Sequence, residues 1–492
     1  MKDYKYKMEE ALHQVEQIRQ TLRDLPPIPD STNVYPTHRS SAVNLRNYVE
    51  LRHKDLRELQ VILSQLGLSS LGRLEAHVLE TLDAVHFALL KMTDRKEVEE
   101  LNQSPETEDS RKITEKNAMR LLGASSNSKR ATRIMVTLPS EAGSDPQIIA
   151  EILDAGAEII RINTAHDDRE TWQNMAIIAR AHEKKIRRKV MLAFDLAGPK
   201  LRIEEIRNCS GKSKSKIKVK IGDRLRVVNR TEQFAKESLA GEVLLADRAV
   251  FLAVSVGARV FIDDGSIASV VTQKEADSME IEITHASPEG SKIALEKGVN
   301  LPDTILALGA LSDDDIKNLD CILEYADIIE LSFVRTKHDV KKLLALLRER
   351  SRLDVGIVIK IELVEAFKNL PQLLLALLEW ERGGVMIARG DLAIEAGYLR
   401  LAEIQEEILW LCESAHIPVI WATEVLDQLS KSGHPSRAEV TDAAMSSRAE
   451  CVMLNKGDYI AKSIEFLDSV LQNMSAHQNK KQSLMRRLNS WK

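Results

Sequence analysis

The stretch IVIKIE, residues 357–362, decides how this chain is read. It is a short β-branched run, apolar until its far end, where Lys360 and Glu362 stand two residues apart. Side chains two apart on a strand leave from the same face. A strand covered on both faces is nearly all apolar. Two opposite charges at its carboxyl end are therefore costly unless they pair or have a task. An isolated KxE would read as an ion pair at a strand terminus. Its surroundings argue for more, because other apolar runs in the chain also end on a polar residue.

Those runs alternate with amphipathic helices from Ala131 onward. Strands are expected to end at Leu138 (RIMVTL), Asn163 (AEIIRIN), Asp195 (KVMLAFD), Ser332 (ADIIELS), Glu362, Asp391 (VMIARGD), Thr423 (PVIWAT) and Asn455 (CVMLN). Eight strand–helix units predict an α/β fold, a (β/α)8 TIM barrel over 129–198 and 303–476. A doubly wound open sheet ranks lower, since no Gly-rich phosphate fingerprint follows the first strand. The intervening segment, 199–302, is strand-rich and reads as a β lid domain inserted after the third strand. Its Asp264-Gly265 pair marks a hairpin turn that needs positive φ. Lys212, Lys214, Lys216, Lys218 and Lys220 would share one face of a strand there, as a solvated edge.

Residues 1–128 read as an α-helical module: MEEALHQVEQIRQTLRDL, then helices over about 42–66 and 71–92, a polar break at 102–109, and a short helix to Leu122. It shows no chemical constellation, so packing, oligomerisation or a helical-module partner is its expected use. The basic tail, 477–492, reads as a solvated terminus that leaves no room for a further domain. The chain has 492 residues, 44% of them hydrophobic, and a net charge of -5, which argues against nucleic-acid partners. No apolar run approaches the length of a membrane span, and the N-terminus has no signal core. Scattered Cys209, Cys321, Cys412 and Cys451 suit reduced thiols and a cytoplasmic location.

Chemistry in barrels of this kind collects at the carboxyl ends of the strands. Arg161, Asn163, Asp195, Ser332, Lys360, Glu362, Asp391 and Thr423 gather there. Converging carboxylates call for a hard divalent cation, and oxygen-only ligands favour Mg2+ or Mn2+ over Zn2+. The Arg and Lys suit a phosphate or carboxylate substrate. In ARGDLAIEAG a glycine at a loop mouth offers backbone N–H groups to an anion. Metal-assisted phosphoryl chemistry and metal-assisted enolate chemistry both fit this inventory, and spacing does not separate them.

In these motifs the chain resembles the pyruvate kinase family over about residues 130–474. IIRINTAH resembles the family's ARLNFSHG, and FDLAGPKLR its DTKGPEIR. VFIDDGSI, KGVNLPDT, IELSFVR, VIKIE, MIARGDL, PVIWATEVL and HPSRAEVTD follow in family order. The resemblance implies Mg2+-dependent transfer of the phosphoryl group of phosphoenolpyruvate to ADP, giving pyruvate and ATP. It implies that Lys360 and Arg161 neutralise the phosphoryl group and that Glu362 and Asp391 hold the metal. The turn of Ala388, Arg389, Gly390 and Asp391, with Ser332 nearby, would bind substrate. Thr423 would stand in the proton path to the methylene carbon, and His166 and Asp264 near the nucleotide.

The departures matter as well. Of the family's monovalent-cation ligands, Asn163 and Asp195 remain, but Ala165 and Leu196 replace a Ser and a Thr. Lys200 replaces a Glu, and its ammonium group would supply the lost charge, so K+ is expected not to be required. Ala197 replaces a Lys, Glu424 a Gln, and NKGDY stands where the family has SGETA. The family's C-terminal effector domain has no counterpart, which leaves a homo-oligomer and any effector open. The rivals are another enolpyruvate- or oxaloacetate-type metal enzyme on the same barrel, and a non-catalytic interaction protein.

Overall fold

A computed structural model of the chain describes residues 2–28, 33–93, 110–230, 239–306, 308–480 and 482–483. Eight parallel strands close into a barrel: β1 (Arg133–Thr137), β2 (Ile159–Asn163), β3 (Met191–Asp195), β4 (Ile328–Leu331), β5 (Gly356–Ile361), β6 (Gly383–Ala388), β7 (Val419–Ala422) and β8 (Cys451–Leu454). Each is hydrogen-bonded to its sequence neighbour and β8 returns to β1, so the open-sheet alternative does not apply. Helices between the strands bury the outward-facing residues, Ile329, Leu331, Ile357 and Ile359 among them. Inward-facing residues form a second core. Met135, Ile159, Met191, Ile328, Val358, Met386, Ile420 and Met453 fill the lower barrel. The same parity carries the chain upward into charge: Ile159 is followed by Arg161, Ala193 by Asp195, Ile328 by Glu330, and Val358 by Lys360. A period-two strand thus sets four charged groups on one interior layer above an apolar plug.

The sixth strand ends sooner than its sequence suggests. It stops at Ala388, and Arg389 opens the helix Arg389–Ala396, which places Gly390 and Asp391 in its first turn. An acidic side chain in a first turn is favoured by the helix dipole.

The segment inserted after β3 is the expected β unit, a seven-stranded sheet with a separate two-stranded ribbon. In the hairpin between Arg259–Ile262 and Ile267–Lys274, Asp263, Asp264 and Gly265 all take positive φ. Lys216 and Lys218 are exposed on the strand Lys216–Val219, while Ile217 and Val219 are buried.

The N-terminal helices differ in detail from expectation. The helix expected over 42–66 is two, Arg39–Arg52 and Arg57–Gln65. Asp55 accepts from the Arg57 backbone N–H at 3.1 Å and from its guanidinium, and this local bond competes with helix continuation. The next helix starts at Val78 rather than at Leu71, whose φ is positive. The polar break at 102–109 and most of the basic tail lie outside the described residues. Ser110–Leu122 closes the floor of the barrel: Ala118, Leu121 and Leu122 join the interior core, and Leu121 fills the space left by Gly356 and Gly384. The earlier helices pack on Tyr398–Ser414, where Asn44 donates to Ser414 O (2.8 Å) and Arg52 lies 4.9 Å over the Trp410 ring.

Candidate active site

A cavity of about 590 Å3 opens at the carboxyl ends of the strands, between barrel and lid. Its walls include Arg161, Asn163, His166, Asp195, Lys200, Asp264, Ser332, Lys360, Glu362, Ala388, Gly390, Asp391 and Thr423. Of the residues singled out from the sequence only Arg389 is turned away. Its guanidinium pairs with Asp442 and stacks 4.9 Å over Trp421. That anchor fixes the backbone of the turn it belongs to.

Lys360 is the centre of the buried cluster. Its ammonium group donates to both Asp195 oxygens (3.1 and 3.1 Å) and to Ser332 Oγ (2.9 Å), and lies 3.0 Å from Glu362 Oε1. Burial works against this charge, but the Asp195 and Glu362 carboxylates outweigh it and hold the Lys360 pKa above its ordinary value. Asp195 answers in kind: burial opposes its charge, yet Lys360 and Arg161 keep its pKa low. Glu362 Oε2 accepts the Phe333 N–H at 2.6 Å. Burial nonetheless raises the Glu362 pKa, with the nearby Asp391 charge adding to the rise. Arg161 bridges three strands, donating through Nε to Glu330 (2.9 Å), through Nη1 to Thr137 Oγ1 (2.9 Å) and through Nη2 to Asp195.

Glu330 was not singled out from the sequence. It is fully buried on the same interior layer as Arg161 and Lys360. Burial pushes its pKa up to about 7, tempered by Arg161. A signal was available, because Glu330 stands two residues before Ser332 on one strand and so shares its face.

The other end of the cavity belongs to Asp391. Lys200 Nζ approaches its two oxygens at 3.0 and 3.3 Å and reaches Asp264 on the lid hairpin at 3.5 Å. Asn300, at the return from the lid, donates to Asp391 at 3.3 Å. Burial disfavours the Lys200 charge, and Asp391 restores it and raises the pKa. Lys200 therefore ties lid to barrel. Its hydrogen bonds run to these two carboxylates and not to Asn163 or Asp195. Asn163 and Asp195 are register partners on adjacent strands, and Asn163 Oδ1 accepts the Ala165 N–H at 3.0 Å. His166 stands at the rim, where partial desolvation of its ring and nearby Arg202 lower its pKa.

The helix Arg389–Ala396 has no side-chain cap at its start, so its first N–H groups are free for an anion in the cavity. A Cβ on Gly390 would come within 3.3 Å of Thr423 Oγ1, so glycine keeps the hydroxyl and the turn close together. Among the described residues no group of three or more His, Cys, Asp and Glu side chains forms a metal cluster. Glu362 and Asp391 are two carboxylates on one cavity, paired in this structure with Lys360 and Lys200 respectively. That donor set fits Mg2+, which is commonly held by one or two carboxylates with water and substrate oxygens completing the shell.

A closed parallel barrel with a β insertion after its third strand, and a mixed-charge cavity between the two, defines a lidded TIM-barrel architecture with the cavity where such barrels do chemistry. The family model described as "Pyruvate kinase, barrel domain" matches residues 129–464, and the chain belongs to the pyruvate kinase family. Pyruvate kinase 2 of Synechocystis sp. is 30% identical over 338 residues, covering 68% of this chain and 54% of that protein. The pyruvate kinase of Agrobacterium vitis is 30% identical over 357 residues, 71% of this chain and 70% of that protein. The Chlamydia muridarum pyruvate kinase is 31% identical over 351 residues, 69% and 68% respectively. The chain thus spans little more than half the length of some of the curated relatives it matches. None of its described helices is long and apolar enough to cross a membrane.

Proposed function

We propose that the chain is a Mg2+-dependent phosphotransferase that moves the phosphoryl group of phosphoenolpyruvate to ADP and does not require K+. The observation that carries this is the Lys360 ammonium group, held between Asp195, Ser332 and Glu362 at the mouth of the barrel. It is a fixed cation where a phosphoryl group in transfer gathers charge. In the reaction the bond from phosphorus to the enol oxygen breaks, and a bond to a terminal phosphate oxygen of ADP forms. The enolate then takes a proton at its methylene carbon. Lys360 and Arg161 neutralise the phosphoryl oxygens. The free N–H groups of Gly390 and Asp391 take the substrate carboxylate, and Ser332 holds Lys360 in place. The Thr423 hydroxyl, beside Gly390, lies in the path of that proton. His166 and Asp264 face the nucleotide from the rim and the lid. Mg2+ on Glu362 and Asp391 would supply charge neutralisation between the two ends of the substrate.

The K+ independence rests on two features. Ala165 and Leu196 offer no side-chain oxygen beside Asn163 and Asp195, and Lys200 brings a fixed positive charge into the same cavity. The test is pyruvate formation by the purified chain from phosphoenolpyruvate, ADP and Mg2+, with K+ absent and then added. Activity that K+ barely changes is expected. Activity only with K+ would remove Lys200 from the argument. Pyruvate release without ADP would replace the kinase by an enolpyruvate-type enzyme on the same barrel. A folded chain inactive in every buffer would favour an interaction protein, with the N-terminal helices as the surface to examine.

A further inference from the structure

Glu330 is the one member of the buried cluster that the phosphotransfer reading leaves without a role. It is 0% exposed, and it sits on β4 between Asp195 on β3 and Lys360 on β5. One oxygen accepts the Arg161 Nε–H at 2.9 Å, and the other has no hydrogen-bond partner among the described residues. A buried carboxylate with an unpartnered oxygen is expensive, so a bland packing residue is a poor account of it. Its effect on Arg161 is specific. With Nε on Glu330, Nη1 on Thr137 and Nη2 on Asp195, the guanidinium plane is fixed from three strands. Only one N–H on each terminal nitrogen then remains for a ligand. The charge count changes too. Among the buried side chains alone, Arg161 and Lys360 balance Asp195 and Glu362, and an ionised Glu330 adds one further negative charge that a bound Mg2+ would offset. Whichever cations are bound, that one charge makes the subsite less attractive to an anionic phosphoryl group than it would be without it.

We propose that Glu330 is a positioning and specificity residue of the phosphoryl subsite: it aims Arg161 through Nε and, by its own charge, weakens the hold on highly charged phosphoryl substrates. The subsite is thereby set for easy release of a multiply charged anion rather than for tight capture. This inference rests on the phosphotransfer reading. It does not depend on which cations the enzyme requires.

Two variants separate the two effects. Glu330→Gln keeps a carbonyl oxygen for the Arg161 Nε–H and nearly the same volume, but removes the charge. Glu330→Ala removes the acceptor as well. Assayed at pH 8 with Mg2+ and saturating ADP, Glu330→Gln is expected to lower KM for phosphoenolpyruvate about fivefold, the scale of one buried charge a few ångströms from the ligand at high effective dielectric. Glu330→Ala should also lower kcat, about tenfold relative to Glu330→Gln, because Arg161 loses its aim. A purely structural role would move the two variants alike. A KM for Glu330→Gln equal to or above that of the parent chain overturns the charge effect, and equal kcat values for the two variants overturn the positioning. If the amide variant fails to fold, Glu330→Ala alone decides: parental KM and kcat together refute the proposal. A parent chain that binds no phosphoenolpyruvate by calorimetry overturns the phosphotransfer reading and the proposal with it. A parent that binds and turns over, with variants like itself, overturns only the proposal.

Discussion

Lys360→Met is expected to lower kcat for phosphoryl transfer from phosphoenolpyruvate to ADP by about 10²–10³-fold, the range seen when one preorganised charge-stabilising donor is removed. The magnitude follows from position. The ammonium group is buried and makes four contacts to Asp195, Ser332 and Glu362, so it needs no reorganisation when charge develops beside it. Methionine has a similar length and keeps the packing, but it leaves Asp195 and Glu362 without their shared cation. Breaking a buried ion pair from one side costs about 3–5 kcal/mol when the remaining charge stays ionised. Here the carboxylates can take up a proton instead, and Arg161 still faces Asp195. The hydrophobic core between strands and helices, with Ile329, Ile357 and Ile359 among its members, is untouched. The variant should therefore fold, with a lower melting temperature and a parental circular dichroism spectrum. The measurement is kcat by pyruvate release on that folded variant. Activity near the parental level would remove Lys360 from the mechanism and would move the search for a phosphoryl-stabilising cation to Arg161 and Lys200.

The architecture was legible because period-two apolar runs and amphipathic helices are local signals. IVIKIE stood out since charge is rare at the end of a strand buried on both faces. The same logic applied to Asn163 and Asp195. It failed for Glu330, which sits inside the apolar run IIEL with a hydrophobic residue on either side. A run that short reads as apolar by composition unless its parity is followed from Ser332. The end of β6 was misplaced because VMIARGD has no propensity break before Gly390. The helix start there is set by tertiary contacts, including the anchoring of Arg389 on Asp442 and Trp421. Lys200 could be flagged as a cation, but its partners could not be read, since Asp264 and Asp391 reach it from the lid and from the first turn of a helix far along the chain. Long-range closure of this kind leaves no local pattern. The same holds for Leu121, whose fit against Gly356 and Gly384 is visible only once the barrel is closed. The N-terminal helices likewise announced themselves as helices without announcing their docking surface.

That docking surface should fail in acid, and His416 is the reason. It lies between the helix Tyr398–Ser414 and β7, 3% exposed. Its Nε2 is 2.9 Å from the Ala76 carbonyl oxygen, which can only accept, so Nε2 carries the proton. Nδ1 then accepts from the Ser41 hydroxyl at 2.8 Å. Both bonds cross from the barrel to the N-terminal helices, and both are satisfied by the neutral ring. Burial lowers the His416 pKa to about 4, against which the Ala76 bond works only in part. The unfolded chain takes up this proton near the ordinary value of about 6.5. Above that value the folded and unfolded states bind the same number of protons here, and the neutral ring costs nothing. As the pH falls below it, the unfolded state gains a proton that the folded state refuses, so stability drops until the folded pKa is reached. The loss from this one group is about 2 kcal/mol at pH 5 and about 3 kcal/mol by pH 4. Other buried histidines, such as His38, shift the same way, so the parent chain alone does not isolate the effect. His416→Gln does. It should cost about 1–2 kcal/mol at pH 7 through its weaker bonds to Ser41 and Ala76, and it should lose less stability than the parent between pH 7 and pH 5. Urea midpoints at the two pH values give the comparison. Equal losses in parent and variant would mean that the His416 proton is not what the interface refuses. A smaller loss in the variant would make this contact the acid-labile joint between the N-terminal helices and the barrel.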